Sequence, residues 1–161
     1  MIRNVKLSDA ARIAEIYNYY IENTVVTFDA IPVAAENIRH KIEEIRAKGY
    51  PYLVCEKDEQ LVGYAYLNTW RSRAAYNITL ETSIYLDIQH TGKNLGTKLY
   101  AALIEKASGM NIHSLIGVIS LPNDESRKLH EKFGFQLIGN FREAGIKFNK
   151  LIDVEFWQKF L

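Results

Sequence analysis

The apolar positions of this chain repeat with two different periods, and the changes between them predict its elements. Ile2 to Val5 is a short apolar run and reads as a first strand. Ser8 and Asp9 then offer N-caps. Behind them Ala10, Ile13, Ile16, Tyr17 and Tyr20 recur at helical spacing and share one face. Thr24 to Phe28 is β-rich, and a loop through Pro32 follows. Ile38, Ile42 and Ile45 predict the inner face of a helix over about 34–48, which Gly49 stops. Tyr52 to Glu56 and Leu61 to Asn68 are strand-like runs around the polar turn 57–60, so they predict a hairpin.

Asn77 to Asp87 alternates and reads as one long strand. Leu95, Leu99, Ala102 and Leu103 line one face of a helix over about 94–108. Ser114 to Leu121 is apolar and β-branched, as buried strands are. Asp124 to Phe133 is a helix that Gly134 ends at the position where a left-handed residue is wanted. Phe135 to Arg142 and Leu151 to Phe160 are the last two strands. The order β-α-α-β-β-β-α-β-α-β-β mixes hairpins with crossovers. It predicts an α+β domain of α/β three-layer build.

Composition narrows the picture. The 161 residues fit one domain, 1–161, with no linker, internal repeat or low-complexity run. An apolar fraction of 48% and a charged fraction of 24% argue against disorder and coiled coil. Twenty basic against 19 acidic residues give a net charge of +1, so nothing draws the whole molecule to nucleic acid or an anionic membrane. The one cysteine, Cys55, has no internal disulfide partner and reads as a small core residue. No Cys/His cluster has zinc spacing, so no metal is expected. The polar start MIRNVKLSD lacks a signal-peptide core, and no apolar run spans a membrane. These features predict a soluble protein of the reducing cytoplasm.

The segment Asp87 to Thr97 joins a strand to a helix and contains Gly92 and Gly96. Glycines let backbone amides approach a ligand, and amides at a helix N-terminus attract anions. Lys93 adds positive charge. A pyrophosphate suits this loop; a βα connection that uses its glycines only for turning explains the same residues. The loop lacks the Gly-Lys-Ser/Thr ending of a Walker loop and the Gly-x-Gly-x-x-Gly of a dinucleotide fold.

That loop, the strand–helix pair around it, Asn123-Asp124-Glu125-Ser126 and Leu129 to Phe135 resemble the GNAT superfamily of acetyl-CoA-dependent N-acetyltransferases. Trp70 to Tyr76, Glu81 to Tyr85, Leu121 to Asp124, Ala144 to Phe148 and Asp153 to Gln158 are similar to the phosphinothricin N-acetyltransferase family within it. The resemblance runs along nearly the whole chain and implies a GNAT-like fold: a mixed, mostly antiparallel central sheet flanked by helices. It also implies acetyl-CoA as cosubstrate. Backbone groups of Ile84 and Leu86, beside Tyr85, would hold the pantetheine arm. Amides of Gly92, Lys93, Asn94, Leu95, Gly96 and Thr97 would hold the pyrophosphate, and Asn123 would touch the cofactor. The loop departs from the usual superfamily pattern at two positions, with Thr91 at its first position and Asn94 where a glycine is usual. Asn tolerates a left-handed backbone better than most residues.

Acetyl transfer from a thioester needs a deprotonated amine, an oxyanion donor and a proton for the leaving thiolate. Glu81 lies on the strand before the loop. Strand pattern alone reads it as a surface residue. The resemblance implies that it is the general base, working directly or through a water. His130 reads alone as an ordinary helical histidine, whereas the resemblance implies a role in proton transfer, in orienting the amine or toward the thiolate. Arg71, Arg73 and Tyr76 follow Trp70. Arginine forks bind anionic groups, and cation–π packing explains an arginine beside a tryptophan equally well. The resemblance implies that this loop recognises the anionic end of an amino-acid-like substrate, with Phe28 and Tyr85 near the acceptor. Lys147 would approach the same region or a partner subunit.

The implied activity is N-acetylation of the α-amino group of a small amino-acid analogue of the phosphinothricin, methionine sulfoximine or methionine sulfone type, in a ternary complex. A non-catalytic acyl-CoA-binding module and a protein or peptide N-terminal acetyltransferase are the alternatives. A homodimer is implied as well, with the aromatic segment 156–161 at its interface or in the core.

Overall fold

A computed structural model describes residues 1–161. Seven strands and four helices follow in the expected order. The strands are β1 (Ile2–Asn4), β2 (Tyr52–Lys57), β3 (Gln60–Thr69), β4 (Thr79–Leu86), β5 (Ser114–Ser120), β6 (Gln136–Lys147) and β7 (Lys150–Phe160). The helices are α1 (Ala10–Asn23), α2 (Ala35–Ala47), α3 (Leu95–Ser108) and α4 (Asp124–Lys132). The strands hydrogen-bond in the order β1-β2-β3-β4-β5-β7-β6. The chain forms two compact units, each assembled from three stretches of sequence. One is Met1–Asn18, Val33–Asn68 and Thr82–Asn111; the other is Tyr19–Pro32, Thr69–Glu81 and Ile112–Leu161.

In the first unit β1 and β3 flank β2, and both pair with it antiparallel. The β2–β3 turn holds Asp58 and Glu59 at positive φ, the backbone a tight hairpin demands. Tyr52, Leu53, Val54 and Cys55 are all buried, so β2 is covered on both faces. Helices α2 and α3 provide the cover, since both pack on β2. The isoleucines at 38, 42 and 45 face inward, as their spacing required. Leu99, Tyr100, Leu103 and Ala107 form the buried stripe of α3. The hydroxyl of buried Tyr100 meets Thr82 Oγ1 of β4 at 2.8 Å. Cys55 is a buried free thiol, and burial raises its pKa.

Leu86, the last residue of β4, sets how near α3 lies to the strand. A β carbon at Gly63 would collide with Leu86 Cδ2, and one at Gly96 would lie 3.2 Å from Leu86 Cδ1. The leucine therefore sits between two positions that lack side chains. These glycines bring the first turn of α3 close to β4.

In the second unit β7 pairs antiparallel with β5 and with β6, and β6 is the outer edge. One expectation changes here, at the end of β6. Residues 24–28, β-rich in sequence but counted as no strand in the expected order, form none. Val26 N–H donates to Thr24 Oγ1 and Asp29 N–H to Thr27 Oγ1, so local side-chain oxygens take the amides that a strand would have offered a neighbour. β6 continues past Arg142 to Lys147, where Phe148 and Asn149 turn the chain at positive φ. The apolar alternation fades after 142 because this edge is exposed, while the backbone ladder with β7 persists to Lys147↔Lys150. In 156–161, Trp157 is buried in the core and Phe160 is exposed.

Replacing Gly63 by alanine tests the Leu86 packing. The added methyl meets Leu86 and lies 3.1 Å from the Tyr85 carbonyl oxygen, which is backbone and cannot yield. Gly63→Ala is expected to cost about 1–3 kcal/mol of stability in urea unfolding. A change within about 0.3 kcal/mol would show that Leu86 has room to move.

Candidate active site

The loop from β4 to α3 is braced at its start. The Asp87 carboxylate pairs with Arg12, and its other oxygen accepts from Gln89 N–H at 2.9 Å. Thr91 Oγ1 donates to the Ile88 carbonyl and Lys93 Nζ to the Gln89 carbonyl. Thr91 and Lys93 thus hold the loop together from within. Gly92 follows at φ 72°, with open space where a side chain would be. Asn94 takes the left-handed conformation, φ 61° and ψ 10°, so it does what the usual glycine would do. It caps α3 with no side-chain bond. The first-turn amides have no partner within a helix, and here no cap covers them. With the helix dipole behind them they suit an anion. Ile84, Tyr85 and Leu86 are half-buried on β4 beside this loop, and Tyr85 packs edge-on against Tyr17 with ring centres 5.1 Å apart.

Within the second unit, Glu81 is half-buried on β4. Strand alternation sets Thr79 and Glu81 opposite buried Leu80. Thr79 Oγ1 lies 3.0 Å from Ser114 Oγ of β5. Arg71 and Arg73 are exposed on the loop after β3. The Arg71 guanidinium stands 4.9 Å from the centre of the Trp70 ring, and Trp70 packs edge-on against Tyr76. The cation–π arrangement therefore holds for Arg71. Phe28 is 42% exposed, and its ring lies on bare Gly145.

His130 is buried, at 4% exposure. Its Nδ1 lies 2.7 Å from the Ser126 carbonyl oxygen. A carbonyl only accepts, so Nδ1 carries the hydrogen and Nε2 the lone pair. Nε2 faces Gly117, where any β carbon would collide with it. Phe135 packs edge-on against the ring. Burial lowers the His130 pKa, while the bond to Ser126 raises it by less. The helix carrying this histidine is capped by Asn123, whose Oδ1 accepts from Ser126 N–H at 3.2 Å. Sequence reasoning did not find two braces: Arg12 on Asp87, and Arg127 Nε 3.2 Å from buried Glu155, which also accepts from Trp157 Nε1. Neither leaves a periodic signal.

Comparison with known proteins agrees with this geometry. Residues 2–156 match the family described as acetyltransferase (GNAT) domain. The chain is 35% identical over 158 residues to a phosphinothricin N-acetyltransferase of Streptomyces viridochromogenes, covering 98% of this chain and 86% of that protein. It is 34% identical over 157 residues to an L-methionine sulfoximine/L-methionine sulfone acetyltransferase of Salmonella typhimurium, covering 98% and 92%. It superposes with a TM-score of 0.97 on a GNAT superfamily phosphinothricin acetyltransferase from Sinorhizobium meliloti in complex with acetyl-CoA, at 31% identity, covering 100% of this chain and 88% of that one. The chain belongs to the GNAT acetyltransferase family. It is an acetyl-CoA-dependent N-acetyltransferase. The uncapped start of α3 and the open space at Gly92 fit the pyrophosphate of that cosubstrate.

The buried histidine makes a pH prediction. The unfolded chain takes up a proton near the ordinary value of 6.5, and the folded chain does so only at lower pH. This contribution to stability is complete above that value and declines as pH falls toward the folded pKa. His130→Gln is expected to remove it, so the mutant should lose less stability than the parent between about pH 7.5 and about pH 5.5. Equal losses in denaturant titrations would mean that His130 protonates as readily folded as unfolded.

Proposed function

We propose that the chain acetylates the α-amino group of a small amino-acid analogue of the phosphinothricin, methionine sulfoximine or methionine sulfone type, by direct transfer in a ternary complex. The observation that carries this reading is the likeness, over nearly the full length, to proteins named for those acceptors. Acetyl-CoA supplies the acetyl group as an activated thioester. In this reading the backbone of Ile84 and Leu86 and the side chain of Asn123 bind the cosubstrate. Amides of Gly92 to Thr97 receive its pyrophosphate. Glu81 takes the proton of the acceptor ammonium, directly or through a water. His130 assists proton transfer or orients the amine. Arg71, Arg73 and Tyr76 receive the anionic end of the acceptor, and Phe28 and Tyr85 contact its body.

We read residues 1–161 as one acetyltransferase domain, because both units draw on three chain segments and share β4. The lone buried thiol Cys55 supports a cytoplasmic location. No helix is long and apolar enough to cross a membrane.

Release of free CoA thiol tests the activity, measured with phosphinothricin, methionine sulfoximine, methionine sulfone, ordinary amino acids and a short peptide. Saturable release with the first three is expected. Release with the peptide alone would move the reading to protein acetylation, and binding of acetyl-CoA without release would indicate a binding module. Glu81→Gln is expected to lower kcat by on the order of 100-fold or more while acetyl-CoA binding persists. An unchanged kcat would remove Glu81 from the role of base.

A homodimer belongs to the same reading. Ile146 of the edge strand β6 and its register partner Leu151 of β7 are each more than half exposed on one face, an apolar pair that a second copy would cover. Light scattering is expected to give twice the chain mass, and Ile146→Glu to shift the protein toward the single-chain mass. A parent protein at the single-chain mass would overturn the dimer.

A further inference from the structure

The only buried residue of β6 is a lysine. Lys147 is 6% exposed on an edge strand that otherwise faces solvent or is half-covered. Burying an ammonium is costly unless hydrogen bonds and opposite partial charges meet it. Lys147 Nζ donates to the Thr27 carbonyl at 2.7 Å and reaches the Tyr20 carbonyl at 3.5 Å. Tyr20 lies in the last turn of α1, whose carbonyls are the negative end of the helix dipole. The ammonium also stands 5.2 Å from the centre of the Phe148 ring. Desolvation pulls its pKa below the ordinary lysine value, and Asp29 partly opposes that.

Two residues earlier on the same face of β6 is Gly145. A β carbon there would lie 2.5 Å from Cε2 and Cζ of Phe28 and 3.1 Å from Cε1. The ring therefore rests on bare backbone. Neighbouring same-face positions of β6 thus hold neighbouring residues of one loop. Gly145 leaves space for the Phe28 ring, and Lys147 grips the carbonyl of Thr27 just before it. Residues 24–28 pair with no strand, so this grip fixes a segment that no sheet ladder holds.

The geometry points to Gly145 and Lys147 as positioning residues for acceptor recognition, which act by seating Phe28 and touch no substrate themselves. This inference rests on the reading of Phe28 as an acceptor contact. It also gives Lys147 a different part from the arginines. Its charge is engaged by main-chain carbonyls, so the anionic end of the acceptor is left to Arg71 and Arg73. Phe28 is the apolar wall whose placement sets which acceptor body fits.

The test compares Lys147→Met, Gly145→Ala, Phe28→Ala and the double variant Lys147→Met/Phe28→Ala in the full chain. Each single variant is expected to raise the acceptor KM about tenfold, with the acetyl-CoA KM changed by less than about twofold. The double variant is expected to match Phe28→Ala alone, because the lysine acts through the ring. Amide hydrogen exchange over 24–33 is expected to quicken about tenfold in Lys147→Met. Unchanged exchange, an unchanged acceptor KM, equal rises in both KM values or multiplying effects in the double variant would each overturn the proposal. Gly145→Ala keeps every hydrogen bond of Lys147, so it serves if Lys147→Met folds poorly. Failure of the activity reading would look different: the parent would release no CoA with any acceptor, and the exchange measurement alone would decide the seat.

Discussion

A slip of one residue along β4 would exchange its two faces, and much of the molecule depends on that slip being forbidden. Leu80 and Thr82 are buried, and Glu81 between them is turned the other way. Three contacts pin this register. Tyr100 holds the Thr82 hydroxyl, Leu86 is caught between Gly63 and Gly96, and Thr79 meets Ser114. Each is short, and each fails if the strand shifts by 3.3 Å, roughly the rise of one residue. The carboxylate at 81 and the loop that starts α3 owe their positions to this one strand.

Three glycines share a second theme. Gly96 admits Leu86, Gly117 admits the His130 ring, and Gly145 admits Phe28. In each case a missing side chain lets a larger neighbour lie on backbone. The neighbour gains close contact on one side without losing its own conformation. The three are paired with a residue of the strand before the candidate cofactor loop, a candidate proton carrier and a candidate acceptor contact. Close packing makes such seats sensitive to a single methyl group.

The buried charges follow one rule. Glu155 is met by the Trp157 indole and the Arg127 guanidinium and Lys147 by main-chain carbonyls, and half-buried Asp87 likewise by Arg12 and its own loop amide. Each meets an opposite charge or a hydrogen bond, as a low-dielectric setting requires. Lys147 differs because its partners are main-chain carbonyls, one in the last turn of α1 and one in the irregular segment behind it. A carboxylate partner would have added an ion pair; the carbonyls instead convert the cost of burial into control of where a loop lies.

Periodicity alone determined the order of elements, the inward isoleucines of α2, the stripe of α3 and the stop at Gly134, because these depend on local spacing and backbone preference. The resemblance made the left-handed Asn94 legible, since it stands where a glycine is usual and Asn is among the few other residues that accept that backbone. Resemblance supplied the proposed roles of Glu81 and His130, where pattern alone read a surface glutamate and an ordinary helical histidine. The tertiary structure decided the rest. It showed that 24–28 is held by side-chain bonds and Lys147 rather than by a ladder, that β6 runs on to Lys147, and that His130 is buried with Nδ1 at the Ser126 carbonyl and Nε2 against Gly117. Each of these depends on residues distant in sequence meeting in space, with the loss of solvent that such meetings bring, and a one-dimensional pattern carries neither.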